Sequence, residues 1–227
     1  MKKIILIILL LTAACTKPPR EISILEKTSC ELPCWNNIVA GQTTEANTLQ
    51  ILKGLSIVDS ESIQNANQPW SIFDNKIIFA IHQDLAIDQQ PKIRGYVYSI
   101  DGIVSQLILC GKIDTTIGDI VKVIGEPENI LSGNNIEDSG RIVILINSRK
   151  GISYWYTAQK TSNSKRYVIT SDTKVDCIDI FGPALYEELL DATLLSGGYF
   201  NAEETLKVMY PWNGYGDLDE KYHPRRP

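Results

Sequence analysis

Apolar side chains recur with helical spacing in two stretches of the chain. The first predicts a helix over 44–54 that begins at a threonine N-cap and carries Leu49, Leu52 and Leu55 on its apolar stripe. The second predicts a helix over 115–125, in which Thr116 and Asp119 form a capping box. Its apolar face consists of four residues: Ile117, Ile120, Val121 and Ile124.

Strand-like runs follow each of these helices. The strongest signal is Asp101-Gly102 between the runs 93–100 and 103–110, because Asp-Gly between two β-rich runs predicts a hairpin. In the first run Tyr96 and Tyr98 share one face. The remaining runs are 77–82, 142–146, 152–157, 167–170 and 175–181.

The order of a helix followed by strands therefore occurs twice, and a Thr-Thr pair recurs 72 residues along the chain. This order predicts an α+β fold of two helix-plus-antiparallel-sheet repeats, 30–111 and 112–182, produced by internal duplication. Chance similarity of two α+β stretches is the alternative. A C-terminal segment, 183–227, is expected to add a leucine-rich helix from Pro183, a short helix over 201–209 and a polar end.

The N-terminus has the pattern of an export signal. Two lysines precede an apolar run that is too short to span a bilayer, and small residues lead to Cys15. The stretch 11–15 resembles the lipobox of bacterial lipoproteins, in which the cysteine is lipidated and becomes the mature N-terminus. The resemblance implies a signal peptide over 1–14, lipidation at Cys15 and a polar tether over 15–29. A plain secretory signal is the alternative.

Charge and composition exclude several partners. The net charge is −5, and removal of 1–14 would leave 20 basic against 27 acidic residues, without any basic stripe. Nucleic acid is therefore a poor partner on electrostatic grounds. The expected attachment is to the cell membrane or outer membrane of a bacterium, through the N-terminal lipid and facing outside the cytoplasm.

Four cysteines remain after Cys15, and in an exported chain an even set favours two disulfides. The favoured pairs are Cys30 with Cys34 and Cys110 with Cys177, although sequence alone leaves three pairings open. A metal site is the alternative, but the sequence has only two histidines, far apart, and no second closely spaced cysteine pair. We therefore expect neither a metal nor a cofactor.

No linear motif of catalysis is present: the chain contains no G-x-S-x-G, no G-x-G-x-x-G and no phosphate-binding loop. Carboxylates are plentiful over 172–191, and glycosidases use two of them about 5–10 Å apart. A solvated acidic face is the simpler interpretation. The residues concerned are Asp172, Asp176, Asp179, Glu187, Glu188 and Asp191.

Tyr154 and Tyr156 are the binding candidates. They share one face of a predicted strand, and Trp155 lies on the other. If Trp155 is in the core, the tyrosines form an exposed aromatic patch that could bind a peptide or a sugar. If the tyrosines are buried, they serve packing and Trp155 lies towards solvent.

The stretch Thr115–Glu128, TTIGDIVKVIGEPE, resembles the signature of small outer-membrane assembly lipoproteins of the BamE (SmpA/OmlA) type. The stretch Ile38–Leu52, with GQTT at 41–44, is similar to the start of the same motif. The order of elements also resembles the tandem-repeat β-lactamase inhibitor proteins. This resemblance implies a fold and a location and attaches no activity.

Taken together, these patterns predict a lipid-anchored envelope protein that acts as a non-enzymatic binding or scaffold module. Its partner would be an envelope protein or a glycan. The alternative is an envelope hydrolase, with glycan as its candidate substrate, that uses acidic residues of 172–191.

Overall fold

The computed structural model describes residues 30–67, 72–81, 93–134, 140–160, 166–191 and 202–222. The helices of these ranges are α1 (Glu45–Gly54), α2 (Ile117–Ile124), α3 (Tyr186–Asp191), α4 (Ala202–Val208) and α5 (Leu218–Lys221). The strands are β1 (Cys34–Trp35), β2 (Ile38–Val39), β3 (Val58–Asn67), β4 (Asn75–Ile81), β5 (Ile93–Ile100), β6 (Ile103–Gly111), β7 (Asn129–Asn134), β8 (Arg141–Asn147), β9 (Ile152–Ala158), β10 (Val168–Ile169), β11 (Cys177–Phe181), β12 (Met209–Pro211) and β13 (Gly216–Asp217).

One antiparallel sheet dominates the described part of the chain. Its nine strands run in the order β12-β7-β8-β9-β11-β6-β5-β4-β3. The fold is therefore α+β, as the sequence predicts. It is mostly sheet, however, and does not divide into two separate helix-plus-sheet repeats, because β6 and β11 pair directly and make the strands of both halves continuous.

The front face of this sheet, defined as the face that carries Ile178 and Ile180, holds the larger core. Side chains alternate between the faces of a strand, so β9 places Tyr154 and Tyr156 on this side as well. The apolar stripes of α1 and α2 pack here, with Leu52 and Ile120 fully buried. Each short helix buries its single apolar stripe against the sheet, which gives both elements a covered face.

The back face carries Cys177, Asp179 and Phe181. Over β7, β8 and β11 it is covered by the C-terminal helices, whose Leu189 is fully buried against Ile144 and Phe181. Helices thus lie on both faces at this end of the sheet. Towards β4 and β5 most back-face residues are partly buried or exposed.

Local signals place the turns and caps where the sequence predicts them. Asp101 and Gly102 both have positive φ, 51° and 72°, as a two-residue hairpin loop with the strand twist requires. Thr44 caps α1, and Thr116 with Asp119 forms a complete capping box on α2. These features depend on residues that are close together in sequence, so they can be predicted without knowledge of the tertiary structure.

Gly95 on β5 lies under the ring of Phe79 on the neighbouring strand β4. A Cβ atom at position 95 would be 2.0 Å from the Phe79 ring. The missing side chain makes room for the end of this ring on the front face, where the ring also contacts Trp35 at 5.9 Å between ring centroids. The close approach of Phe79 therefore requires glycine at this position.

The C-terminal strap, residues 209–222, crosses the front face of the second half. It pairs β12 with β7 and β13 with β10, and it ends in α5 with Leu218 fully buried. Arg166 contacts both Asp217 and Glu220 of the strap. Within the expected polar end, residues 219–221 are exposed, whereas Leu218 and Tyr222 are buried and anchor this segment in the core.

Several predictions fall outside the described residues. They are the signal peptide 1–14, lipidation at Cys15, the tether up to residue 29, Leu194 of the predicted leucine-rich helix, and both histidines. Within the described ranges, every helix is too short or too polar to cross a membrane.

Candidate functional site

Cross-strand pairing arranges the back-face residues in rows that run across the sheet. One row crosses five neighbouring strands and consists of Ile78, Tyr96, Ile108, Asp179 and Ser153. The row beside it consists of Lys76, Tyr98, Gln106 and Phe181. Exposure changes along both rows, from partly exposed on β4 and β5 to buried on β11.

The partly exposed end of these rows is named here the aromatic strip. Its members are Lys76, Ile78, Tyr96, Tyr98 and Ile108. Aromatic residues with one apolar body and one polar end are common in protein contact surfaces, because they combine a large contact area with a hydrogen-bonding group. The strip is therefore the candidate binding surface.

The ammonium group of Lys76 lies over both tyrosine rings of the strip. Its Nζ is 4.7 Å from the Tyr96 centroid and 5.2 Å from the Tyr98 centroid, within the range of a cation–π contact. Tyr98 also packs against Phe73, with 4.7 Å between ring centroids. Burial, together with the electrostatic effects of Tyr96 and Asp179, raises the pKa of Tyr98 to about 12. Tyr98 therefore remains neutral over the physiological pH range.

Asp179 is a buried carboxyl group at the inner end of the site. Its Oδ2 accepts a hydrogen bond from the Gln106 amide at 2.7 Å and a longer one from the Ser153 hydroxyl at 3.4 Å. Its Oδ1 has no hydrogen-bond partner among the described residues. Burial raises the pKa of Asp179 to about 7, and the two hydrogen bonds only partly oppose this effect.

The structure contradicts the exposed patch proposed for Tyr154 and Tyr156. Both are buried, at 1% and 4% exposure, and Trp155 lies partly exposed on the other face. The physical reason is that the front face of β9 is covered by the C-terminal strap, whose Tyr215 and Tyr222 act electrostatically on these tyrosines. The tyrosines therefore serve packing, which is the second of the two interpretations of the sequence. Burial raises the pKa of both hydroxyls.

The acidic residues of 172–191 do not form a buried cluster. Asp172, Asp176, Glu187, Glu188 and Asp191 are exposed. Only Asp179 is buried, and its hydrogen-bond partners are an amide and a hydroxyl. Within the described ranges, no group of three or more His, Cys, Asp or Glu side chains is arranged to hold a metal ion.

Both favoured disulfides are present in the structure. Cys30 is bonded to Cys34, and Cys110 to Cys177. The second bond lies on the back face, where the two cysteines are direct partners across β6 and β11. It therefore joins the two halves of the sheet at the strand pair where they meet.

Sequence reasoning found part of this site. The shared face of Tyr96 and Tyr98 follows from strand alternation, and Asp179 belongs to the acidic set. Lys76 and Ile108 were missed, because their place beside the tyrosines depends on the pairing register of β4, β5 and β6.

No protein-family model matches the chain, and comparisons with characterised proteins and with solved structures find no significant match.

Proposed function

We propose that this protein is a lipid-anchored, non-enzymatic binding or scaffold module of the bacterial envelope, and that it contacts its partner through the aromatic strip. The observation that carries the proposal is the row arrangement of the strip, which sets two tyrosine rings, two isoleucines and a lysine side by side and partly exposed. Tyrosine and apolar groups in one contiguous surface suit a protein partner and also suit a glycan.

The N-terminal pattern supports attachment through a lipid on Cys15. Lys2 and Lys3, a short apolar run and small residues before Cys15 are the features of a lipoprotein signal. The two disulfides support a destination outside the cytoplasm, where cysteines are oxidised. Cell membrane and outer membrane both satisfy these features.

An internal duplication is part of this proposal, and matched contacts in the two halves support it. Thr44, the N-cap of α1, forms an isolated bridge with Ile103 at the start of β6. Thr116, the N-cap of α2, forms an isolated bridge with Lys174 just before β11. In each half, the N-cap residue of the helix thus forms a bridge at the start of β6 or just before β11, the two strands that join the halves.

The test is photo-crosslinking in the native membrane with the full-length, anchored protein. A photoreactive group at position 96 should capture a defined partner, and Tyr98→Ala should reduce that capture. A photoreactive group at Val123, which is 61% exposed on α2 at the opposite side of the sheet, serves as the matched control and should not capture it. Equal capture from both positions would contradict a binding surface on the strip.

An envelope hydrolase is the second candidate, and Asp179 is the observation that favours it. A buried carboxyl with a raised pKa is a common form of general acid. A glycosidase would need a second carboxylate nearby, and the other acidic residues of 172–191 are exposed. Assay of peptidoglycan and oligosaccharide cleavage by wild type and Asp179→Asn distinguishes the two, because a binding module gives no turnover with either.

A further inference from the structure

The turn of the C-terminal strap contains Asn213-Gly214, which is the only Asn-Gly pair in the sequence. The pair lies between β12 and β13, and Asn213 is exposed. In an Asn-Gly pair the backbone nitrogen of the glycine reaches the asparagine side chain with little obstruction, because glycine has no side chain of its own. The turn therefore places a backbone nucleophile next to an accessible side-chain amide.

The hydrogen bonds of this turn do not involve the attacking atom. The Asn213 N–H donates to the Tyr222 hydroxyl at 3.1 Å, and the same hydroxyl donates to the Gly214 carbonyl oxygen at 2.8 Å. The Gly214 N–H has no hydrogen-bond partner among the described residues. Its nitrogen can therefore attack the Asn213 side chain without the loss of a hydrogen bond.

Lys221 holds an ammonium group against the same peptide unit. Its Nζ donates to the Asn213 carbonyl oxygen at 2.7 Å. Gly216 makes room for the rest of this side chain, since a Cβ atom at position 216 would be 2.7 Å from Lys221 Cε. When the Gly214 N–H loses its proton, the negative charge is shared with the Asn213 carbonyl oxygen, and a neighbouring ammonium stabilises it. The geometry therefore favours the nucleophilic form of this peptide nitrogen.

We infer that Asn213 is a site of spontaneous deamidation and isomerisation, promoted by the Lys221 ammonium. The Gly214 nitrogen attacks Cγ of Asn213 and forms a bond to it, and the side-chain amide nitrogen leaves as ammonia with the proton of the Gly214 N–H. The product is a succinimide ring. Water then opens this ring: cleavage of the new N–Cγ bond gives aspartate at position 213, and cleavage of the bond to the main-chain carbonyl gives isoaspartate.

Isoaspartate would change the strap at the place where Tyr222 holds it. The main chain between residues 213 and 214 becomes longer by one carbon atom, so the two groups bonded to the Tyr222 hydroxyl no longer keep their spacing. Tyr222 is 3% exposed and anchors the strap beside Tyr156. The isoaspartate form should therefore hold the strap less tightly. This inference goes beyond the proposed function and does not depend on it.

The test is incubation of the purified, disulfide-bonded mature protein at mildly alkaline pH, followed by peptide mapping with mass spectrometry. The incubation lasts for the time in which half of the urea-unfolded protein converts at position 213. We expect aspartate and isoaspartate at this position in the folded protein, with an oxygen atom taken up from isotopically labelled water. Asn47 is the control, because it is exposed but is followed by the branched Thr48, and it should remain unconverted. An intact Asn213 in the folded protein would overturn the inference.

Two matched variants test the role of the ammonium. Lys221→Met should slow conversion at position 213 by about threefold in the folded protein, and it should have no effect in urea, where the contact is absent. Lys53→Met makes the same change in net charge on α1 and should leave the rate unchanged. A folded-state rate for Lys221→Met equal to or above that of the wild type would contradict promotion by Lys221.

Hydrogen exchange measures the effect of the modification on the strap. After chromatographic separation of the isoaspartate form, the backbone amides of the strap should exchange about fivefold faster than in the unmodified protein, whereas those of β5 and β6 should keep their rates. Equal exchange of the strap in both forms would contradict the expected loosening.

Discussion

Cys110 and Cys177 face each other directly across the strand pair that joins the two halves of the sheet, and they are bonded to each other. The bond closes a chain separation of 67 residues. In the chain-entropy description, a loop of this length restricts the unfolded chain by about 4 kcal/mol. This disulfide therefore contributes to stability at the junction of the two halves.

We predict that Cys110→Ser with Cys177→Ser lowers the free energy of unfolding by about 3–4 kcal/mol. Urea unfolding of the oxidised proteins, followed by circular dichroism, measures the change. Cys30→Ser with Cys34→Ser is the control, since a separation of four residues restricts the unfolded chain much less. A larger loss from the Cys30–Cys34 pair would contradict this account.

The proposed lipidation of Cys15 can be tested by replacing this residue. Only a thiol accepts the diacylglycerol, so Cys15→Ser should abolish labelling with a radioactive fatty acid and leave uncleaved precursor or soluble protein. Cys30→Ser is the control, because it removes a thiol that we assign to a disulfide, and it should retain the label. Labelling of Cys15→Ser at the wild-type level would remove the proposed anchor.

The elements that the sequence predicted correctly are those with local causes. The Asp101-Gly102 turn and the Thr116–Asp119 capping box are specified by neighbouring residues. Strand β3 was missed because Val58–Asn67 is mostly polar and has no alternation strong enough to mark it. β3 is an edge strand of the sheet, so it pairs with a single neighbouring strand and does not need a continuous apolar face.

The candidate site was predictable only in part, for a related reason. Alternation places Tyr154 and Tyr156 on one face and Trp155 on the other, but it does not say which face is covered. The C-terminal strap decides this, and its packing depends on Leu218 and Tyr222, more than 60 residues away in sequence. The aromatic strip has the same dependence on register, through Lys76 and Ile108.

The hydroxyls of Tyr154 and Tyr156 are buried without a hydrogen-bond partner among the described residues. Because a buried polar atom without a partner is unfavourable, Tyr154→Phe and Tyr156→Phe should each leave stability unchanged or raise it by up to about 1 kcal/mol. Tyr222→Phe is the matched control. Its hydroxyl donates to Gly214 O at 2.8 Å and accepts from the Asn213 N–H at 3.1 Å, so its removal should cost about 1 kcal/mol.

Thermal unfolding of the three variants checks this prediction. A loss at Tyr154 or Tyr156 equal to that at Tyr222 would mean that the hydroxyls have partners, such as ordered water molecules.

Gly95→Ala should destabilise the protein by about 1–3 kcal/mol, because the new methyl group meets the Phe79 ring in a closely packed core. Phe79→Leu in the same chain should recover part of this loss, since the smaller side chain makes room. Gly54→Ala is the control: nothing lies within 4 Å of its added Cβ, and alanine favours the helix, so stability should stay the same or rise. Urea midpoints measure all three.

Asp179 should make stability depend on pH in a defined direction. Burial raises its pKa from 3.8 to about 7 in the folded protein, so the folded state holds the proton more tightly than the unfolded state. Its contribution is therefore fully present below about pH 4 and is lost as the pH rises towards 7. The loss is on the order of 4 kcal/mol. Above pH 7 this contribution stays constant.

Asp179→Asn keeps a neutral group of similar shape that can still accept from the Gln106 amide. The variant should match the wild type near pH 4 and become increasingly more stable than it as the pH rises to 7, where the difference levels off. Urea unfolding across this range measures the difference, and Asp172→Asn, at an exposed position, should follow the wild-type profile throughout. A constant difference in stability between Asp179→Asn and the wild type at every pH would show that the Asp179 carboxyl does not titrate in this range, contrary to its raised pKa.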